Sequence, residues 1–529
     1  MSTKSDFNST SFVCSLAIVV AGLMPVTAMS DDVILKAADG SINITGELVE
    51  FADDNYVIRT TLGEMRISAS RVSCEGEACP EFETAVADVV FAGSNTVGLG
   101  MMPLLLTGYA SHLDAESSVA ALAGEGEILA KFVSDGGYGE EIGSYLVTPS
   151  VTGDAFTALL NKSAQIGMAS RRIQPEEARE LRADGAGNMI SPLQEHVLAV
   201  DSLVVIVHPE NELGTITIDQ LRQIYSGELS NWSDLGGEDI PIKVLDRNID
   251  AGTRGVFMSA LFGDAADEVD QIGAVMDNNN DMAAMVYDDP AAIGYAGYAF
   301  QRGAKPLALV NECGIQSSPD AFSAKTEEYP LQRRLYLYNR SDNLADASAD
   351  FIDYATSSNA DGVIAKSGFI DLGVKIQNMD MEGSRAKQLL EPTADAYESN
   401  IMREMLRQML DFDRLSTTFR FATGAFRMDE RSVVDMARLA NYLESQPEGT
   451  TVMFAGFTDS VGAFDSNRDL SARRAAFAAE EFGAFASEQI AQIEVQSAGF
   501  GEIAPVACNT DDLGRSINRR VEVWIKPPL

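Results

Sequence analysis

The sequence predicts an α/β protein with several domains in series, and three observations carry that reading. Residues 86–376 alternate short apolar runs with amphipathic helical stretches, the pattern of an α/β domain with largely parallel sheets. Residues 413–529 run strand, helix, strand, helix, strand, strand, a compact α+β unit of βαβαββ order. Ahead of both, residues 31–82 alternate apolar and polar positions between turn signals, as a small antiparallel β-domain does. At 529 residues the chain is too long for one hydrophobic core, and nearly 300 residues in the middle are enough for two lobes.

Composition narrows the function. Hydrophobic content of 46% with 22% charged residues describes a globular chain. A net charge of −40 argues against nucleic acid and anionic membrane surfaces as partners.

The first 30 residues read as an export signal. Lys4 supplies the positive end, "FVCSLAIVVAGLMPV" the apolar run and "VTAMS" a small-residue cleavage region before Asp31. Gly22 and Pro25 interrupt a run barely long enough to span a bilayer, which weighs against a membrane anchor. Beyond Cys14, the cysteines are Cys74, Cys79, Cys313 and Cys508. The close pair in "VSCEGEACP" fits a small disulfide loop in an oxidising compartment; the spacing does not suit zinc. Cys313 and Cys508 are left unpaired by sequence alone.

The small β-domain carries "INITGELVEF", "NYVIRTTLG" and "MRISASRVSC", and nothing in it looks catalytic. In the central domain "DVVFAGS", "SLVVIVHP", "IPIKVLD", "AIGYAGYAF" and "RRLYLYN" read as strands, and "ITIDQLRQIYSG" and "TRGVFMSALFG" as helices. Residues 377–412 read as a polar, flexible linker ending in the helical "IMREMLRQMLDF".

Within the C-terminal unit, "AGFTDSVGAFDSNRDLSARRAAF" (455–477) puts Asp459 after a strand and Arg474 one turn into a helix. A ligand with an α-ammonium and an α-carboxylate would pair the first with Asp459 and the second with the planar fork of Arg474. Taken alone, the same residues equally suit a turn cap and a solvated helix arginine. The ordered set "FATGAF", "GFTDSVG", "NRDLSARRA", "AGFGEIAP" and "NRRVEVWI" resembles the OmpA-like peptidoglycan-binding domain across residues 413–529. The resemblance implies that Asp459 and Arg474 grip the diaminopimelate of the wall peptide, with Thr458, Asn467 and Arg519 lining the pocket. Many members carry an aspartate where this chain has Ala422, so one secondary contact is lost.

In the central domain three polar clusters sit where strands meet helices: "AGSNTVG" (92–98), "IGMASRRI" (166–173) and "LDRNIDAGTRGVF" (245–257). Hydroxyls and N–H groups at helix starts, with arginines beside them, suit an oxyanion; singly, each cluster is also ordinary loop and cap chemistry. With "DSLVVIVHPEN", "IYSGELSNWSDLGG" and "DDPAAIGYAGYAF" they resemble the periplasmic phosphate-binding proteins of ABC importers, a two-lobed solute-binding fold. That resemblance implies phosphate or a similar oxyanion held by Ser94, Thr96, Thr152, Ser170, Arg171, Arg247, Gly252 and Thr253. Ala251 stands where the family has a serine, and Arg171 follows Ser170 where it has an aspartate. The second change offers an extra cation to a dianion.

"DNNNDMAAMVYD" (277–288) resembles a calcium loop but has Met282 where the tight turn needs glycine, so a helix cap is the better reading. The three histidines are scattered, and no Ser-His-Asp or Cys-His spacing marks a nucleophile. No enzyme activity, metal or cofactor is expected.

The combined expectation is an exported phosphate receptor tethered non-covalently to peptidoglycan in the periplasm of a Gram-negative bacterium, associated with the outer membrane. Its partner for uptake would be an inner-membrane ABC permease. The alternative is a wall-anchored structural or sensory envelope protein whose receptor-like domain does not serve transport.

Overall fold

The computed structural model describes residues 32–528 apart from 37–42, 53–54, 62, 69–71, 77, 80–86, 123, 125, 250, 277, 379–395, 426–427, 429–431, 487 and 489. The export-signal reading of residues 1–30 lies outside the described residues, as do residues 379–395 of the expected linker. Among the described residues no helix is long and apolar enough to cross a membrane.

Strict alternation in the first segment yields a five-stranded antiparallel sheet. Its inward residues Val33, Leu35, Tyr56, Ile58 and Ile67 form a small core of their own. Cys74 and Cys79 are bonded, with Cα atoms 5.8 Å apart, and pin the last strand of this sheet.

The central domain is organised by Glu195–Val207, a strand of 13 residues whose apolar run is buried almost throughout. Its first half pairs with Gln332–Asn339 and its second with Ala292–Gly297, so it passes from one lobe to the other. In the first lobe, strands Ile166–Ala169, Val89–Ser94 and Glu141–Ser150 run parallel. Phe91, Met102, Leu105, Tyr109, Phe132 and Phe351 fill its core. In the second lobe, Lys243–Arg247, Ala274–Met276 and Ala292–Gly297 run parallel over a separate core containing Leu203, Val205, Trp232, Phe257 and Tyr295. Two cores joined by shared strands make a two-lobed, mixed α/β periplasmic-binding-protein-like fold.

The C-terminal sheet places Asp413–Arg420, Arg520–Lys526, Thr451–Gly456 and Glu494–Gly499 side by side. Helices Ser432–Glu444 and Phe464–Phe485 cover one face through Leu439, Leu443, Ala475, Ala478 and Phe482. Two details depart from the sequence reading. The second helix starts at Phe464, so Arg474 lies well inside it rather than one turn in. Ile376–Gln377 already pairs with Asp413–Arg420, so the chain has joined this sheet at residues 376–377, where the linker was expected to begin.

The helix Ala396–Met409 packs Ile401, Met402, Met405 and Met409 on the other face of the sheet, against Met453, Phe457 and Trp524. Nor is the C-terminal unit held apart from the central domain, as a flexible linker would leave it. Arg414 forms a fork on Glu328, Arg438 lies 2.7 Å from Asp361, and Cys313 is bonded to Cys508. Arg414 and Arg438 are each less than a tenth exposed, which obliges each to find a carboxylate; both find one across the boundary, and Arg414 has Glu522 of its own unit as well.

Candidate functional site

Parallel pairing in the first lobe sets Ser94 opposite Ser150 and Gly93 opposite Met168. The segments that follow, Ser94–Thr96, Val151–Thr152 and Ser170–Arg171, therefore emerge together from the carboxyl edge, where open α/β sheets hold ligands. Gly93, at φ +114°, is required there: a Cβ would come within 2.5 Å of both Ala155 Cβ and the Met168 carbonyl. Thr152 opens helix Thr152–Leu160, whose N-cap Val151 offers no side-chain oxygen. Its hydroxyl accepts the N–H of Ser170 at 3.1 Å and stands 3.1 Å from the Ser170 hydroxyl. Ser94, Thr152 and Ser170 are all buried.

The second lobe contributes the end of Lys243–Arg247 and the start of helix Gly252–Phe262. Ala251 precedes that helix without a side-chain cap, so its first turn lacks the oxygen a serine would bring. A Cβ built on Gly252 would lie 3.4 Å from the Ser170 hydroxyl. At that point the lobes touch, and an anion there would meet hydroxyls of one lobe and a helix start of the other.

The arginines are less simply placed. Arg247 donates through Nε to the Met276 carbonyl at 3.0 Å and through Nη1 to Asn279 Oδ1 at 2.8 Å, so it also braces the start of helix Asn279–Asp288. Arg171 grips Glu177 with both terminal nitrogens, at 2.9 and 2.7 Å, and lies over the Phe156 ring. The extra cation expected from Arg171 is thus already matched by a carboxylate of its own lobe, because helix Pro175–Ala183 presents Glu177 in its capping box.

Two buried arginines escaped the sequence reading. Arg254, one residue after Thr253, pairs through Nε with Asp246 at 2.9 Å. Asp246 also accepts the Tyr295 hydroxyl at 2.5 Å; burial first, and then the charge of Asp246, drive the Tyr295 hydroxyl well above its ordinary range. Arg333 pairs with Asp201 at 2.8 Å and its Nη2 reaches the Thr96 hydroxyl at 3.4 Å. One terminal nitrogen of each, Nη2 of Arg254 and Nη1 of Arg333, is buried without a partner among the described residues. The available signal was a charge inside an apolar strand, Asp201 in "VDSLVV" and Asp246 in "VLD", since buried polar residues are the informative ones. In the stretch that resembled a calcium loop, Asn278 caps helix Asn279–Asp288 by accepting from the N–H groups of Asn280 and Asp281.

The five C-terminal residues also gather. Asp459 is held by Arg519 Nη1 at 2.8 Å and accepts the Val461 N–H at 3.2 Å. Asn467 donates to the Asp459 carbonyl at 3.3 Å and to Glu502, a neighbour the sequence did not mark. Arg474 is fully buried; it donates to the carbonyls of Ala425 and Ala422 at 3.0 and 3.2 Å and lies over the Phe421 ring. Burial first, and then nearby Arg519, push its pKa down to about 10, with Asp459 opposing. Among the described residues, Arg474 Nη1 and the Thr458 hydroxyl are buried without partners. Asp459 and Arg474 are thus near each other but unpaired, with Arg519 occupying the carboxylate.

Comparison with known proteins covers the central part of the chain. The phosphate-binding protein PstS of Bacillus subtilis is 26% identical over 236 residues, 44% of this chain and 73% of that protein. PstS of Pseudomonas aeruginosa is 28% identical over 238 residues, 41% of this chain and 71% of its own. An ABC-type phosphate transport receptor from Vibrio cholerae superposes with a TM-score of 0.40 at 22% identity, covering 54% of this chain and 99% of that one. The model of the PBP superfamily domain matches residues 83–359, more than half of the chain, and by that match this protein belongs to the PBP superfamily.

Proposed function

We propose that this protein is a receptor for inorganic phosphate or a closely similar oxyanion, held between its two lobes, and that its C-terminal unit grips peptidoglycan non-covalently. The observation that carries the first part is the approach of Gly252 to the Ser170 hydroxyl, which brings Ser94, Thr96, Thr152 and Ser170 to the start of the helix bearing Thr253. Similarity to proteins named phosphate-binding supports the choice of anion. The site residues proposed are Ser94, Thr96, Thr152, Ser170, Arg247, Gly252 and Thr253, with Arg171 at the rim. Delivery to an inner-membrane permease would follow from that role.

The second part rests on the gathering of Thr458, Asp459, Asn467, Arg474 and Arg519, with buried Arg474 Nη1 and Thr458 Oγ1 available to a ligand carboxylate. Titration calorimetry of the full chain with phosphate, and with sulfate as competitor, tests the receptor role; absence of phosphate binding sinks it. A wall-anchored sensory or structural role is favoured instead by one observation: the C-terminal unit is tied to the second lobe through Cys508–Cys313 and to the first through Arg438–Asp361, so it bridges the two lobes. That reading expects no phosphate binding, or binding unaffected by the tie.

A further inference from the structure

Asp201 and Arg333 face each other in register, the first on the strand that passes between the lobes and the second on its first-lobe partner Gln332–Asn339. Asp201 is fully buried, and its Oδ2 takes Arg333 Nε at 3.0 Å and Nη2 at 2.8 Å. Its Oδ1 takes the N–H groups of Ser202 at 2.9 Å and Tyr298 at 3.3 Å. Tyr298 follows Ala292–Gly297, a strand of the second lobe. From the other end, Arg333 Nη2 donates to Thr96 Oγ1 at 3.4 Å, and Thr96 belongs to the first lobe's carboxyl edge. A hydrogen-bonded line therefore runs from the second lobe, through the buried ion pair, to a hydroxyl at the cleft.

A threonine hydroxyl has one proton to give and can accept in return. With Arg333 approaching as a charged donor, Thr96 Oγ1 must accept on that side, and its own proton is turned away from the guanidinium. Resting on the receptor reading above, we propose that Arg333 is a positioning residue of the anion site: anchored by Asp201, it fixes the Thr96 hydroxyl as a donor to a tetrahedral oxyanion.

The test is a double-mutant cycle on the full chain with inorganic phosphate as the probe, read by calorimetry. Thr96→Val and Arg333→Gln should each weaken binding about tenfold, as loss of one charge-assisted or well-aligned hydrogen bond does. In the double variant the loss should be no greater than in Thr96→Val alone, because Arg333 acts through the hydroxyl. Arg333→Lys keeps a charge for Asp201 but loses the fork, and covers the case in which Arg333→Gln does not fold; it should show the same coupling to Thr96. Losses that multiply in the double variant overturn the inference while leaving the receptor reading intact. No phosphate binding by the wild type overturns both.

Discussion

Cys313, in the turn between strands Ala308–Val310 and Gln316–Ser317 of the second lobe, is bonded to Cys508, 195 residues further along the chain. Cys508 lies in the loop whose Asn509 side chain accepts the Ser460 N–H, next to Asp459. On the far side, Arg438 of the C-terminal unit meets Asp361 and the Thr356 carbonyl of the first lobe. The C-terminal unit thus touches both lobes and is covalently fixed to one.

Removing this crosslink should loosen the whole arrangement. Closing so long a loop is worth about 5 kcal/mol in the chain-entropy model, and removal of native disulfides costs about 2–5 kcal/mol. With a protease site placed within residues 379–395, the cleaved wild type should run as one species without reductant and as two with it. The variant with Cys313→Ser and Cys508→Ser should run as two in both cases and unfold at lower denaturant. Two separate fragments from cleaved, unreduced wild type would show the bond is not made.

The two cleft arginines should differ sharply. Arg247→Ala removes a charged donor worth about 2–3 kcal/mol, so phosphate affinity should fall about 30- to 150-fold. Arg171 is matched by Glu177, and the loss from Arg171→Ala should stay below about tenfold, the scale of a partly exposed pair. Equal losses for both would mean that Arg171 leaves Glu177 when the anion arrives.

How much of this was legible in sequence depends on the distance between partners. Strands such as Val89–Ser94 and helices such as Gly252–Phe262 announce themselves by periodicity, which is local. The clusters at Ser94, Ser170 and Arg247 were also visible, since loops at strand ends concentrate hydroxyls and charge. What no spacing reveals is which distant residues share a lining. Thr96 and Arg333 are 237 positions apart, and Cys313 and Cys508 are 195. The engagement of Arg171 with Glu177 was nearer, six positions on, but required knowing that a capping box would turn Glu177 back toward it.

Acid should weaken the central domain through His196. Burial lowers its pKa below 6.5, against a partial opposing effect of the 2.7 Å hydrogen bond with Asn339 Oδ1. The folded protein therefore holds this ring neutral while the unfolded chain takes up a proton first. Stability is full above 6.5 and is lost as pH falls below it. His196→Gln keeps an amide for Asn339 and removes the titration. Denaturant unfolding compared at about pH 7.5 and about pH 5.5 should show a smaller drop for the variant than for the wild type. An identical drop would assign the acid sensitivity to other groups.

The pair proposed to grip the wall, Asp459 and Arg474, requires gentler substitutions than alanine. Arg474 is fully buried and satisfies the carbonyls of Ala422 and Ala425, so Arg474→Ala would strip both and confuse folding with binding. Asp459→Asn is cleaner. Its amide oxygen still accepts the Val461 N–H, while the negative charge beside Arg519 and Arg474 disappears. A zwitterionic wall-peptide group would then find no carboxylate between Arg519 and Arg474 for its ammonium. Loss of one charged partner in a desolvated site costs about 2–5 kcal/mol, enough to abolish co-sedimentation with purified peptidoglycan at micromolar protein. Arg474→Lys should do the same from the other side, because a single ammonium cannot both bond the Ala422 and Ala425 carbonyls and present a second nitrogen to a carboxylate. Phosphate calorimetry on both variants serves as the folding control and should match the wild type, since neither residue reaches the lobes. If folded Asp459→Asn pellets like the wild type, Asp459 is a turn residue held in place by Arg519 and the wall must be gripped elsewhere.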